Sequence, residues 1–254
     1  MLDGKVGLIC NVANQRSAAW AIAKACDAHG AKLVIGYLGE REKEQLDKLL
    51  GQLRQEPVVV SCDVTDDDAL DNLRAVVEQQ HGKLDFLVHS LAYARMEDLN
   101  QRFIETSRDG FLLAQNISAY SLAALTRVCE PLFSEAASVV CLSYIGAVRA
   151  MPNYNVMGVA KASLEATVRY LASELGPAGV RVNAISAGPM RTLAASAVGD
   201  FKALHKHVAE RSPLRHSTTQ EEVADTTVFL VSNMARGITG DVIYVDSGYH
   251  ILGV

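Results

Sequence analysis

Along the chain, short runs of β-branched and other apolar residues alternate with longer segments in which apolar positions recur every three to four residues. The runs Val6 to Cys10, Lys32 to Tyr37, Val58 to Cys62, Phe86 to Ser90, Ser138 to Ser143, Val180 to Ile185 and Val242 to Val245 read as seven strands. Between them the helical period covers Ser17 to His29, Arg41 to Arg54, Asp66 to His81, Arg108 to Glu130, Asn153 to Leu175 and Gln220 to Asn233. Gly30, Gly82 and Gly176 stand where helix stops belong.

Strands that are apolar on both faces must be covered on both faces. Strand and helix in alternation therefore predict an α/β fold: a doubly wound, Rossmann-type parallel sheet of seven strands flanked by helices. No repeat, flexible linker or block of like charge divides the chain, so residues 1–254 read as a single domain. The alternation fails over 187–216, which begins Ala-Gly-Pro after the sixth strand and reads as a loop carrying one or two short helices. Ligands of open α/β sheets bind beyond the carboxyl ends of the strands, which makes this segment a candidate substrate-binding lid.

Composition narrows the function classes. With 49% hydrophobic and 21% charged residues the chain can bury a full core, which excludes disordered and collagen-like classes. A formal charge of -5 has the wrong sign for a chain whose main partner is nucleic acid. The five cysteines are odd in number and form no C-x-x-C or Cys/His cluster, so neither a disulfide framework nor a metal site is expected. Without a charged leader or a long apolar span, the expected compartment is the cytoplasm and no membrane insertion is expected.

The turn after the first strand, NVANQRSAAWAIA, lacks the G-x-G-x-x-G pattern of dinucleotide sites. Asn11 is the non-glycine residue type best able to adopt a positive φ, and Ser17 can both cap the following helix and donate to a phosphate oxygen. After the second strand no Asp or Glu stands at the strand end to grip a ribose hydroxyl. There Arg41 is either a partner for a 2′-phosphate or a solvated first-turn charge. Asp63, at the tip of the third strand, is either an acceptor for an adenine amino group or a cap for the helix near Asp66.

The segment SYIGAVRAMPNYNVMGVAKAS carries the densest chemistry. Tyr154 and Lys161 are seven residues apart, two helical turns, so both side chains share one face about 10 Å apart along the axis. A phenol and an ammonium converging on one cleft suit carbonyl chemistry: the phenol bonds a developing oxyanion, and the ammonium is expected to lower the phenol's pKa.

With VANQRSAAWAIA, CDVTDD, HSLAYA, NISAYSL, VRVNAISAGPMRTLAAS and GITGDVIYVDSGYH, that segment makes the chain resemble the short-chain dehydrogenase/reductase superfamily from Met1 to His250. Within it, the chain closely resembles the NADH-dependent enoyl-acyl-carrier-protein reductases of bacteria. The commonest superfamily branch has Tyr-x-x-x-Lys, but four residues after Tyr154 stands Gly158, and only Lys161 is available. The six-residue gap and the second tyrosine, Tyr144, match the enoyl reductases.

The resemblance implies hydride transfer to a trans-2-enoyl thioester on acyl carrier protein in type II fatty acid synthesis. Tyr154 would stabilise the enolate oxygen, Lys161 would hold the nicotinamide ribose, and Tyr144 would face the thioester. Asn11, Ser17, Ala18, Asp63, Val64, Ser90, Leu91 and Thr192 match cofactor positions. Ala92, Met157, Ala194, Ala195 and Phe201 match the substrate pocket and its lid. Leu38 lacks the basic character of members that prefer NADPH, so NADH is the expected cofactor, with NADPH the less favoured one. Lys202, His205, Lys206, His207 and Arg191 form a basic patch suited to an acidic carrier, or a solvated helix face. The superfamily's habit of pairing long helices across subunits implies a homotetramer. A paralogous reductase of another enone or carbonyl, and a non-catalytic NAD(H) sensor, are the competing readings.

Overall fold

The computed structural model describes residues 1–192 and 201–253. Seven strands, β1 (Val6–Cys10), β2 (Lys32–Tyr37), β3 (Val58–Ser61), β4 (Leu84–His89), β5 (Phe133–Ser143), β6 (Arg181–Ala187) and β7 (Val242–Val245), form one sheet in the order β3-β2-β1-β4-β5-β6-β7. Every pairing is parallel. The order turns back between β1 and β4, whose ends align with Cys10 opposite His89, and that reversal opens the crevice in which such sheets bind ligands.

The helices are α1 (Ala18–Ala28), α2 (Glu40–Leu50), α3 (Asp67–His81), α4 (Met96–Asn100), α5 (Arg108–Gln115), α6 (Ser121–Cys129), α7 (Asn155–Leu175), α8 (Phe201–Arg211) and α9 (Gln220–Val231). On one face of the sheet, Leu73 and Val77 of α3, Leu122 and Leu125 of α6, and Leu164 and Val168 of α7 pack against Leu8, Val139 and Val182. On the other, Trp20 and Ile22 of α1, Leu46 of α2, and Val223 and Val228 of α9 cover Ile9, Ile35 and Val140. Burial on both sides explains why the strands read as continuous apolar runs.

The helical run from Arg108 to Glu130 is interrupted. Between α5 and α6 the residues Asn116–Tyr120 form a single π turn, which adds one residue per turn and changes which side chains face the sheet. The hydroxyls of Ser118, in the turn, and Ser121, which follows it, both reach other parts of the chain. Ser118 Oγ accepts from the Tyr93 amide at 3.0 Å and donates to the Tyr93 carbonyl at 3.2 Å. Ser121 Oγ donates to the Ile117 carbonyl at 2.6 Å and lies 2.7 Å from His89 Nε2. Since the hydroxyl has one hydrogen, His89 Nε2 is the donor in that pair, and burial holds the imidazole neutral with a pKa pushed down to about 3.

Candidate active site

A cavity of about 870 Å³ lies beyond the carboxyl ends of β1, β4, β5 and β6. One end is built from the β1–α1 turn. Asn11 follows the last residue of β1 with φ 65°, and its side-chain amide donates to the Ser90 carbonyl at 3.1 Å, tying the tips of β1 and β4 together. Ser17 caps α1 by accepting from Trp20 N at 3.2 Å, but its one hydroxyl hydrogen goes to the Asn14 carbonyl at 2.8 Å rather than toward a phosphate, and the first turn of α1 contains no acidic residue. A helix N-terminus left without carboxylates beside a cavity suits an anionic group, since its free N–H groups and dipole favour negative charge. Asn11, Ser17 and Ala18 line this end together with Arg41 and Gln45 of α2. The turn therefore fits a dinucleotide pyrophosphate, with asparagine in the left-handed conformation usually left to glycine.

The other end is built from β5 and α7. Lys161 is 4% exposed, and its ammonium donates to the Leu142 carbonyl at 2.7 Å and reaches the Leu91 carbonyl at 3.5 Å. Burial pulls its pKa down to about 8. Tyr144 and Tyr154 meet edge to face with ring centroids 4.8 Å apart. Burial, reinforced by Tyr144 and Glu165, raises the Tyr154 phenol well above the ordinary tyrosine range. The expectation that Lys161 lowers this pKa is corrected: the ammonium is spent on backbone carbonyls, and burial prevails. Tyr154 is held as a protonated donor.

Two glycines make this arrangement possible. A Cβ on Gly146 would stand 2.5 Å from Tyr154 Cδ1 and 3.1 Å from Tyr144 Cδ1. A Cβ on Gly158 would stand 2.9 Å from the Gly146 carbonyl oxygen. The position where the commoner branch carries its lysine is here the contact point between α7 and the turn after β5. Behind it, Ser143 Oγ donates to the buried Glu165 carboxyl at 2.5 Å, and burial raises the pKa of Glu165.

Twelve of the sequence-derived positions line this one cavity: Asn11, Ser17, Ala18, Ser90, Leu91, Ala92, Tyr144, Tyr154, Met157, Lys161, Thr192 and Phe201. Asp63 and Val64 do not. Asp63 Oδ1 accepts from the amide and hydroxyl of Thr65, Val64 packs into the core, and the cap of α3 is Asp66. Ala194 and Ala195 lie outside the described residues. Of the lid segment, the described part contains one helix, α8, whose Phe201 and Leu204 reach the cavity. The wall formed by Tyr93, Met96 and Leu99 was missed. Tyr93 stands inside the HSLAYA run, and Met96 and Leu99 follow it in a helix of five residues, too few turns for a period to register.

The sequence pattern of the family described as Enoyl-(Acyl carrier protein) reductase matches residues 12–250. The chain belongs to that family. This reductase is 52% identical to the enoyl-[acyl-carrier-protein] reductase [NADH] FabI of Bacillus cereus over 254 residues, covering 100% of this chain and 99% of the relative. It is 48% identical to the [NADPH] FabI of Staphylococcus aureus, covering 99% of this chain and 98% of that one. The Bacillus cereus reductase with NADP+ and an indole naphthyridinone superposes with a TM-score of 0.98 at 52% identity, covering 100% of this chain and 99% of that one. The Aquifex aeolicus reductase superposes with 0.96 at 46% identity, covering 100% and 99%. Among the described residues no helix of this reductase is long and apolar enough to cross a membrane.

Proposed function

We propose that this reductase saturates trans-2-enoyl thioesters carried by acyl carrier protein in type II fatty acid synthesis, using NADH in preference to NADPH. The observation that carries this reading is the Tyr154 phenol in ring contact with Tyr144 and two helical turns from a buried Lys161, all on one cavity. When bound, NADH would supply the hydride that goes to Cβ of the substrate, which leaves negative charge on the thioester oxygen until a proton added at Cα completes the saturated thioester. Tyr154 donates a hydrogen bond to that oxygen. Because the phenol is half-buried and held in place by its ring contact with Tyr144, its bond strengthens as charge develops, which is the differential stabilisation a catalyst needs.

Lys161 holds the nicotinamide ribose with the donor capacity its two backbone carbonyls leave over. Asn11, Ser17 and Ala18 frame the pyrophosphate, which the free N–H groups at the start of α1 hold, since the Ser17 hydroxyl donates to the Asn14 carbonyl at 2.8 Å, while Ser90, Leu91 and Thr192 flank the nicotinamide half. Ala92, Met157 and Phe201 bound the acyl pocket. Arg41 on the same cavity supports NADPH as a second cofactor. Residues 1–254 act as one reductase domain, with 187–216 as its lid. Lys202, Lys206 and Arg191 are exposed on the lid and suit an acidic carrier. His205 adds little charge, since burial and Arg191 hold its pKa down. Exposed Ile104, Leu112 and Tyr170 support burial against other copies in a cytoplasmic homotetramer.

The deciding experiment mixes the protein with crotonyl- or acetoacetyl-coenzyme A and follows loss of nicotinamide absorbance with NADH, then NADPH. Faster consumption of NADH, with the crotonyl thioester alone, is expected. Consumption with acetoacetyl alone would make the chain a ketoreductase, and tight NADH binding without turnover of any enoyl thioester, carrier-bound ones included, would make it a sensor.

A further inference from the structure

Asn155 follows the catalytic phenol directly and opens α7 with φ 34°, a left-handed value that asparagine tolerates better than most side chains. Its Nδ2 donates to the Leu99 carbonyl at 2.8 Å and to the Gln101 carbonyl at 2.6 Å. Only an amide nitrogen can face two carbonyls, so the orientation of the side chain is fixed. Both acceptors lie at the end of α4, which at five residues is too short to be stable by its own bonds. The same element forms the apolar wall: Leu99 packs against Tyr154, Met157 and Ala160, and Met96 and Leu99 line the cavity.

We infer that Asn155 is a positioning residue that fixes the Tyr154 backbone to the substrate wall at α4, so that one amide sets the distance between the oxyanion donor and the surface on which the acyl chain rests. No other side chain supplies both properties the position uses. Glycine keeps the backbone conformation but loses both donors. Aspartate keeps shape and conformational tolerance but turns an acceptor toward two carbonyls. The inference rests on the reading of Tyr154 as the enolate-stabilising donor.

The test compares Asn155→Gly and Asn155→Asp with the unaltered protein in crotonyl thioester turnover, NADH fluorescence titration and thermal unfolding. A donor displaced by about 1 Å loses on the order of a hundredfold in rate. The expected result is a fall in kcat of about ten- to a hundredfold for both variants, with NADH affinity within about twofold. Asn155→Asp adds a signature that a purely structural role would not give. Facing two carbonyls, the new carboxyl is neutralised as pH falls and regains one donor, so its kcat relative to the unaltered protein rises from pH 8 toward pH 5.5. Turnover within twofold for Asn155→Gly, or a loss accounted for by unfolding and weakened NADH binding together, would overturn the inference. Failure of the unaltered protein to reduce any enoyl thioester would instead remove the reading on which it rests.

Discussion

The two ends of the cavity are built by different means. The cofactor end is made of backbone: a left-handed Asn11, the start of α1 and the tips of β1 and β4, with side chains serving mainly to hold the turn. The reacting end is made of side chains standing on α7 and the end of β5, brought together because Gly146 and Gly158 let two backbones approach. A backbone site tolerates changes of residue type as long as the conformation survives. A side-chain site fails when one atom is missing.

The largest effect should therefore come from the reacting end. Tyr154→Phe removes one hydroxyl from a preorganised donor and should lower turnover of crotonyl thioester by about 10²- to 10³-fold. NADH affinity should stay within about twofold, as read by fluorescence titration, because the backbone end is untouched. A loss under about fivefold would mean that the oxyanion is stabilised elsewhere.

An intermediate effect should appear with pH, where the two ends meet at Lys161. Its pKa stands near 8 in the folded protein against an ordinary value of 10.5, so the ammonium is lost as pH rises through about 8. NADH affinity should fall above that pH, by up to about tenfold per unit where binding requires the charged form. Stability should move the other way. Between about 8 and 10.5 the unfolded chain holds a proton that the folded one has released, so this group's contribution to stability rises with pH across that window. Titrations of NADH binding and of urea unfolding between pH 7 and 10 would expose both trends, and a flat affinity would detach Lys161 from the cofactor.

The smallest effect should belong to the cofactor end. Asn11→Gly and Asn11→Ala both lose the bond to the Ser90 carbonyl, but only alanine is strained at φ 65°. The alanine variant should be less stable than the glycine variant by about 1 kcal/mol in urea unfolding, after allowance for the greater freedom of glycine in the unfolded chain. The reverse order would mean that the turn does not need the left-handed conformation.

What the sequence revealed followed the same division. The strands were legible because burial on both faces leaves unbroken apolar runs, and Tyr154 with Lys161 because helix geometry converts a spacing of seven into a shared face. Asn11 was legible as a residue type suited to positive φ, although the glycine pattern of its site is absent. The π turn at Asn116–Tyr120 was not, since the bonds that use Ser118 and Ser121 go to Tyr93 and His89 in another part of the chain. Nor was the early start of β5 at Phe133, which depends on an irregular register opposite Leu84 and Phe86. The direction of the Tyr154 pKa shift was not legible, because spacing reports that a lysine is near but not that its ammonium is engaged by Leu142 and Leu91 or that burial prevails.

The contact between Gly158 and the Gly146 carbonyl bears on ancestry. Moving the lysine back to residue 158, as in the commoner arrangement, would drive a side chain into the turn after β5 before any new chemistry could be tested by selection. A lysine at 158 therefore requires the turn and the helix to move apart. As long as this gap stays closed, the lysine fits at 161 and not at 158.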